Sequence, residues 1–267
     1  MTTVPLGRDP RPVVPQGDSL TAAYCLHLGD DALIYAQRLG EWISRAPQIE
    51  EDMALGNIGL DLLGQARALL TRAGELDGTG RSEDDLAYFR DERDFRSVHL
   101  VEQPRGDFGF EMARLLWFAT YQCELYAALV DSRDPVVSAV AAKAVKESAY
   151  HRDHAEQWVL RLGDGTDESH VRMQDSLQAV LPYLAELFDD DEVSVAAASA
   201  GVGALPSALH DAVVERVGDV VVRATLTLPH EVTWRSRGGR IGVHDQSMGH
   251  LLAEMQHIAR SHPGASW

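Results

Sequence analysis

The chain has 267 residues, of which 45% are hydrophobic and 24% are charged, and its formal net charge is −17. This composition is typical of a globular protein that is long enough to bury a full core. The negative charge repels phosphodiester backbones and anionic lipids, so it argues against nucleic acid and membranes as partners and favours a basic partner surface.

The N-terminal segment, residues 1–19, carries charges and prolines but no apolar block. It therefore predicts a flexible arm rather than a secretory signal. No run of eighteen or more apolar residues occurs, so no membrane-spanning helix is expected. Cys25 and Cys123 fall in apolar helical segments, where free cysteines act as small core residues, and the cytoplasm is the expected compartment.

Helical periodicity dominates residues 20–163. The first predicted helix covers about residues 21–44 and the second covers about residues 49–76. The third runs from about residue 107 to residue 130, and the fourth occupies about residues 135–163. Two helical pairs with short turns, linked by a longer crossover, are typical of a ferritin-like four-helix bundle. The predicted fold class is therefore all-α.

Residues 164–267 are predicted to add auxiliary helices to the same domain, which covers residues 20–267. These helices are expected at about residues 168–188, with Pro182 inside, at residues 206–226 and at residues 246–260. The stretch from Arg235 to Arg240, RSRGGR, is basic in an acidic protein. It predicts a glycine-rich turn with solvated arginines, and binding of an anionic group or a partner's acid is the alternative.

The fourth predicted helix raises the question of a metal site. Its interior seam, at heptad spacing, consists of Val137, Ala141, Ala144, Ser148, His151, Ala155, Trp158 and Leu162. In di-iron bundles two inner helices each present Glu-x-x-His, which places a carboxylate and an imidazole one turn apart. Here Ser148 occupies the position three residues before His151. The imidazole is present and the carboxylate is missing.

Two interpretations of this helix remain open. Glu147, His151 and His154 could share a face and bind a metal, although that face is rotated away from the interior seam. The sequence favours the other interpretation, in which His151 is a hydrogen-bonded core histidine with Glu147 and His154 at its edge. One true Glu-x-x-His, Glu254 to His257, lies opposite the apolar stripe of the last helix and predicts a solvated or partner-facing surface.

The other three helices of the predicted bundle offer few ligands, whereas a di-iron centre needs about four carboxylates and two imidazoles. Leucine cannot hold a hard cation. We therefore predict no catalytic, cofactor-binding or metal-binding residue in this chain, and a polar cluster such as Gln37, Gln122 and His151 as one candidate filling of the centre. The polar residues available on those helices are Asp30, Asp31, Gln37, Asp61, Gln65, Gln122 and Glu124.

Several blocks of the sequence resemble the structural C subunits of phenylacetyl-CoA epoxidases. The most specific blocks are NIGLDLLGQAR and the pair RDERDF and LVEQP, and the likeness extends from about residue 20 to residue 267. The resemblance implies a ferritin-like, non-catalytic subunit that pairs with a paralogous catalytic A subunit. The positions at which the catalytic ligands would be replaced are Leu62, Leu63, Ala66 and Ser148.

The same resemblance implies a role in aerobic phenylacetate catabolism, as part of a multicomponent NADPH-dependent monooxygenase. The di-iron centre is expected in the A subunit, FAD and an iron–sulfur centre in the reductase, and a small B subunit as a bridge. Whether residues 235–240 contact coenzyme A is left open. The alternatives are a competent di-iron oxidase or iron-binding protein, using Glu147, His151, His154 and acids of the first and third helices, and a free-standing regulatory bundle.

Overall fold

The computed structural model describes residues 15–230 and 232–265, and regular structure within these ranges is entirely helical. The predicted all-α class is confirmed. Four helices of more than twenty residues dominate the fold, and shorter helices surround them. In chain order the helices are α1 (Asp18–Gly40), α2 (Ile49–Leu76), α3 (Glu83–Tyr88), α4 (His99–Glu102), α5 (Phe108–Leu129), α6 (Pro135–Gly163), α7 (Asp167–Val180), α8 (Glu192–Ala200), α9 (His210–Arg223) and α10 (Gln246–Ser261).

The predicted N-terminal arm, residues 1–19, falls mostly outside the described residues. Its last two residues already belong to α1, which begins at Asp18. At the other end, α1 stops at Gly40 rather than near Ser44, and a series of turns follows in which Ser44 adopts a φ of 66°. A non-glycine residue in this left-handed conformation ends the helical path.

The long helices pack as two pairs. α1 packs against α2 and α5 against α6, and α2 also contacts α6. The start of α6 is fixed by local chemistry, because the Asp134 side chain accepts hydrogen bonds from the backbone N–H groups of Val136 and Val137, at 3.0 Å each. Pro135 occupies the first turn, where no backbone donor is needed.

The predicted seam of α6 is buried from Val137 through Ala155, but Trp158 and Leu162 at its end are only partly buried. Along α2 the predicted apolar stripe is buried except at Leu76, which is half-buried. Leu63 is 37% exposed, so it does not face the interior as expected. Gln65 is the buried residue at that height.

The C-terminal third differs more from the prediction. The helix expected at residues 168–188 ends at Val180, because Pro182 has no backbone N–H to continue it, and two short 3-10 turns follow. α8 was not predicted. It is capped by the Asp191 side chain, which accepts from the N–H groups of Val193 and Ser194, and it ends at Gly201 with a φ of 75°.

The apolar stripe predicted for α10 is buried at its first three positions and only partly buried at the fourth; its members are Met248, Leu251, Leu252, Met255 and Ile258. Ile258 is 57% exposed, so its assignment to the buried stripe was wrong. Gln256 is buried instead, and its amide donates to two backbone carbonyls within residues 87–90, at 3.0 Å each. Glu254 and His257 are exposed, as predicted.

The stretch from Arg235 to Arg240 is not a turn of solvated arginines throughout. Arg235 is exposed, but Arg240 points inward, with Nη2 2.7 Å from Oδ2 of Asp31. Its Nη1 donates to the backbone carbonyls of His27 and Arg96, at 3.0 and 2.7 Å. The stretch therefore anchors the C-terminal segment on α1, which corrects the prediction.

Both cysteines are buried free thiols, as expected. Burial raises the pKa of the Cys25 thiol to about 12, so it stays protonated at neutral pH. In the part of the chain that the structure describes, every helix is too short or too polar to cross a membrane.

Candidate metal centre

His151 is a buried histidine of α6 that contacts the acid of α2. Its Nε2 atom lies 3.1 Å from Oδ2 of Asp61. Burial lowers the pKa of the imidazole below 6.5, and the carboxylate of Asp61 offsets this only in part. The ring is therefore mostly neutral at pH 7 and hydrogen-bonded, and the interpretation of His151 as a hydrogen-bonded core histidine is confirmed.

Glu147 lies one turn before His151 and is committed to other partners. Its Oε2 accepts a hydrogen bond from Nε2 of Gln65 at 3.1 Å, and its Oε1 lies 2.7 Å from Nζ of Lys143. The carboxylate charge is thus balanced by a lysine on the same helix. Glu147 is therefore already paired with a cation and does not face an ion in the interior.

His154, at the next height of α6, faces a third partner. Its Nε2 lies 3.1 Å from Oε2 of Glu51 but makes no hydrogen bond with the described protein, and that carboxylate oxygen accepts from Nε1 of Trp158 at 2.8 Å. Burial lowers the pKa of His154 as well, with Glu51 acting in the opposite direction. Glu51 was not singled out in the sequence, although an acid one turn into α2 is a plausible partner for a histidine.

These contacts form a ladder between α2 and α6. The residue numbers rise along α6 from Glu147 through His151 to His154, while the numbers of their neighbours on α2 decrease from Gln65 through Asp61 to Glu51. The two helices therefore run antiparallel. Each candidate ligand therefore points at its own partner instead of at a common point. Within residues 15–230 and 232–265, no group of three His, Cys, Asp or Glu side chains is arranged to hold a metal ion.

The middle of the bundle is filled by neutral polar groups. Oε1 of Gln65 accepts from the hydroxyl of Tyr126 at 2.9 Å and from Nε2 of Gln122 at 3.4 Å. Oε1 of Gln122 and Oγ of Ser148 are buried and make no hydrogen bond with the described protein. Gln37 is half-exposed at the surface, so it does not belong to this cluster as the sequence suggested.

Asp30 and Asp31, the acids predicted on α1, are buried but face the connecting segments. Asp30 forms an ion pair with Arg90 and accepts from the backbone N–H of Arg96 at 2.8 Å. Asp31 pairs with Arg240 and accepts from the N–H of Val98 at 2.9 Å. Burial raises the pKa of Asp31 to about 6, despite the opposing effect of Arg240.

Sequence reasoning missed a fully buried acid on α5. Glu111 accepts from the hydroxyl of Tyr35 and from Nε1 of Trp42, at 2.8 Å each, and forms an ion pair with Arg114 one turn later. Its signal was available, because a lone acid inside an apolar segment such as FGFEMARLLWF must find partners. Glu124, the acid predicted on this helix, is only half-buried.

Two further buried acids hold histidines at the C-terminal side of the bundle. Oε1 of Glu102 lies 2.7 Å from Nδ1 of His244, and Oε2 of Glu186 lies 2.8 Å from Nδ1 of His99. The hydrogen bonds and charges of these acids raise the pKa of both histidines, outweighing the opposite effect of burial. These pairs connect α4 to the segment that precedes α10 and to the turns that follow α7.

The side chains present do not fit a di-iron centre. Such a centre takes about four carboxylates and two imidazoles that converge from four helices. In the described ranges the interior carboxylates are each committed to an arginine, a lysine or a histidine, as the preceding contacts show. The groups left at the centre are neutral amides and hydroxyls, which are poor ligands for a pair of iron ions.

The chain also matches known proteins. The family model described as "Phenylacetic acid catabolic protein" matches residues 12–267. A curated relative from Escherichia coli (strain K12), the C subunit of 1,2-phenylacetyl-CoA epoxidase, is 45% identical over 245 residues, which cover 92% of this chain and 98% of the relative. The chain belongs to the phenylacetic acid catabolic protein family.

Proposed function

We propose that this chain is the non-catalytic structural subunit of a phenylacetyl-CoA epoxidase complex, where it pairs with a di-iron catalytic A subunit and stabilises it. The name of the 45% identical relative supports the complex and the subunit type. The match covers 98% of that relative, which supports assigning the role of the whole subunit to this chain.

A ferritin-like fold for residues 20–163, within one helical domain, is part of this proposal. Its support is the order of the long helices: α1 with α2, a connection that contains α3 and α4, and then α5 with α6. Ferritin-like folds share this arrangement of two pairs with one long crossover. Helices α7 to α10 are auxiliary: α7 and α9 pack on α5 and α6, α8 packs on α1, and α10 packs on α3.

The observation that carries the non-catalytic assignment is the ladder between α2 and α6. Where a di-iron bundle would direct Glu and His side chains to one point, this chain pairs Glu147, His151 and His154 separately with Gln65, Asp61 and Glu51. A bundle of this kind supplies shape and a rigid surface. Its benefit to a catalytic neighbour is burial of that neighbour's flank, as in obligate interfaces of roughly 2,000 Å² or more.

The remaining parts of the reaction are assigned to other chains. We infer that the A subunit holds the di-iron centre, that a reductase with FAD and an iron–sulfur centre supplies electrons from NADPH, and that a small B subunit bridges the pairs. The two free buried thiols support a cytoplasmic location, where cysteines stay reduced.

The test is coexpression of this chain with the A subunit, followed by purification and iron analysis of each chain. We expect a stable complex whose iron belongs to the A subunit, and less than 0.1 iron per chain, on the order of trace metal, in the present chain when it is purified alone. His151→Ala serves as the matched control, because it should leave the trace level unchanged. Two irons per isolated wild-type chain, lost in His151→Ala, would establish the competent di-iron alternative instead.

A further inference from the structure

The outward face of the first half of α2 is apolar and uncovered by the described chain. Ile49, Met53 and Leu60 are 70%, 65% and 65% exposed, and their spacing of four and seven residues places them on one side of the helix. Ile43, from the turns after α1, is 61% exposed. Exposed apolar side chains that cluster in this way mark interaction sites more often than scattered ones do.

Ile43, Met53 and Leu60 line a surface groove, which we call the α2 groove. Its volume is about 540 Å³, and Tyr88 and Met255 also line it. The groove therefore spans α1, α2, the end of α3 and α10. Its length along α2 suits an extended contact with a second helix.

Two glycines on the same face are not required by packing against the residues that the structure describes. A Cβ at Gly56 would meet nothing within 4 Å, and one at Gly64 would meet only Nζ of Lys143 at 4.0 Å. Both positions are interior to α2 with ordinary helical backbone, where glycine costs about 1 kcal/mol relative to alanine. Close approach of another backbone is a reason to keep glycine at such positions.

The rim of the α2 groove is mainly acidic. Asp52 lines the groove and is half-exposed, and exposed Glu254 borders the adjoining pocket that shares Gln37, Gly40 and Ile43 with the groove, where Arg45 is an exposed cation. A second copy of this chain would bring acids against acids, on top of a net charge of −17 for each copy. A partner with a basic rim around an apolar ridge is electrostatically complementary.

We propose that the α2 groove is the docking site for a helix of the catalytic A subunit, one that carries an apolar ridge flanked by Lys or Arg. This inference rests on the proposed function and names the surface through which it operates. Met53 and Leu60 contact the ridge, Gly56 lets the two helix backbones approach, and Asp52 and Glu254 face the basic flank.

The experiment measures the affinity of the full-length chain for the purified A subunit by titration calorimetry. Leu60→Glu should weaken binding by at least about tenfold, because it places a charge at the centre of a desolvated contact. Val222→Glu is the matched control: Val222 is 72% exposed on α9, so the same change there should leave affinity unaltered. Gly56→Ala should weaken binding several-fold, because its Cβ would hold the two backbones apart, and Gly56→Leu should lose at least about tenfold.

Circular dichroism and thermal melting of each variant establish that folding is intact. The two Gly56 variants introduce no charge, so they test the docking site independently of Leu60→Glu. If Leu60→Glu and Gly56→Leu bind like the wild type, the docking site is overturned while the proposed function stands. If the wild type forms no complex, both fall.

Two other occupants of the α2 groove have distinct signatures. A lone wild-type chain that is dimeric and becomes monomeric with Leu60→Glu would assign the groove to a second copy. A several-fold rise in hydrophobic-dye fluorescence on deletion of residues 2–14, absent when Leu60→Glu is also present, would assign the groove to the chain's own N-terminal segment. Either result overturns the A-subunit docking site.

Discussion

Replacement of Arg240 by methionine tests the idea that the C-terminal segment is anchored by a buried ion pair. Methionine keeps much of the volume and removes the charge. The guanidinium contacts both oxygens of Asp31, at 3.0 and 2.7 Å, and also donates to two backbone carbonyls. The substitution therefore leaves a buried carboxylate and two carbonyls without their donor.

Breaking a buried pair by removing one partner costs about 3–5 kcal/mol. Each orphaned carbonyl adds about 1–3 kcal/mol in isolation, but effects within one network are not additive. Asp31 can relieve part of the loss by binding a proton, since its pKa is already raised to about 6. We therefore expect a loss of about 3–5 kcal/mol, a large part of the roughly 5–15 kcal/mol of a typical domain.

The assay is urea unfolding at pH 7, followed by far-UV circular dichroism, with the slope of the transition checked for constancy. Arg235→Met, at an exposed position of the same stretch, should change the free energy of unfolding by less than about 0.5 kcal/mol. Adding Asp31→Asn to Arg240→Met should recover part of the loss. A loss below about 1 kcal/mol for Arg240→Met would refute the anchoring argument.

Three further predictions concern single residues. Burial lowers the pKa of His27 to about 3, so the unfolded state binds a proton that the folded state does not, and stability contributed by the neutral ring is lost as pH falls from about 6.5. The stability of the wild type relative to His27→Gln should decrease by up to about 1.4 kcal/mol per pH unit between pH 6.5 and 4, and pH-independent differences in urea unfolding would contradict this. Gly239→Ala should lower the melting temperature by several degrees, because its Cβ would lie 2.1 Å from the carbonyl oxygen of Ser97. Gly78→Ala is the control in calorimetry: Gly78 has a positive φ, but a Cβ there would meet nothing within 4 Å, so this variant shows the effect of backbone strain without the clash. Tyr126→Phe removes the 2.9 Å hydrogen bond to Gln65 and should cost about 1–3 kcal/mol in urea unfolding, and an unchanged midpoint would show that the central polar cluster is not stabilising.

The long helices were predictable because their signals are local. The bounds of α2, Ile49–Leu76, match the prediction, since Pro47 and the glycines at 78 and 80 bracket a clear apolar stripe. The short helices were not recognised. α3 has a capping box between Ser82 and Asp85, but a helix of six residues is stable only with tertiary packing, here against α2 and α10.

For the middle of the bundle, the sequence could predict only a lack of metal ligands. Ser148 and His151, which the sequence places on the α6 seam, are both buried there. The partners of the acids could not be read from the sequence, because Asp31 and Arg240 are 209 residues apart and become neighbours only when the C-terminal segment folds back. The assignment of Leu63 to the interior failed for a simpler reason: it lies on the outer side of the α2 stripe.

The ladder between α2 and α6 has a consequence for any attempt to introduce metal ligands into this bundle. Introducing Ser148→Glu alone would set a new anion beside Glu147, whose single lysine counter-charge is already engaged. Freeing His151 would first require release of Asp61. Building a metal site here would thus demand several coordinated replacements, and we expect each to be destabilising on its own because the same contacts keep the bundle folded.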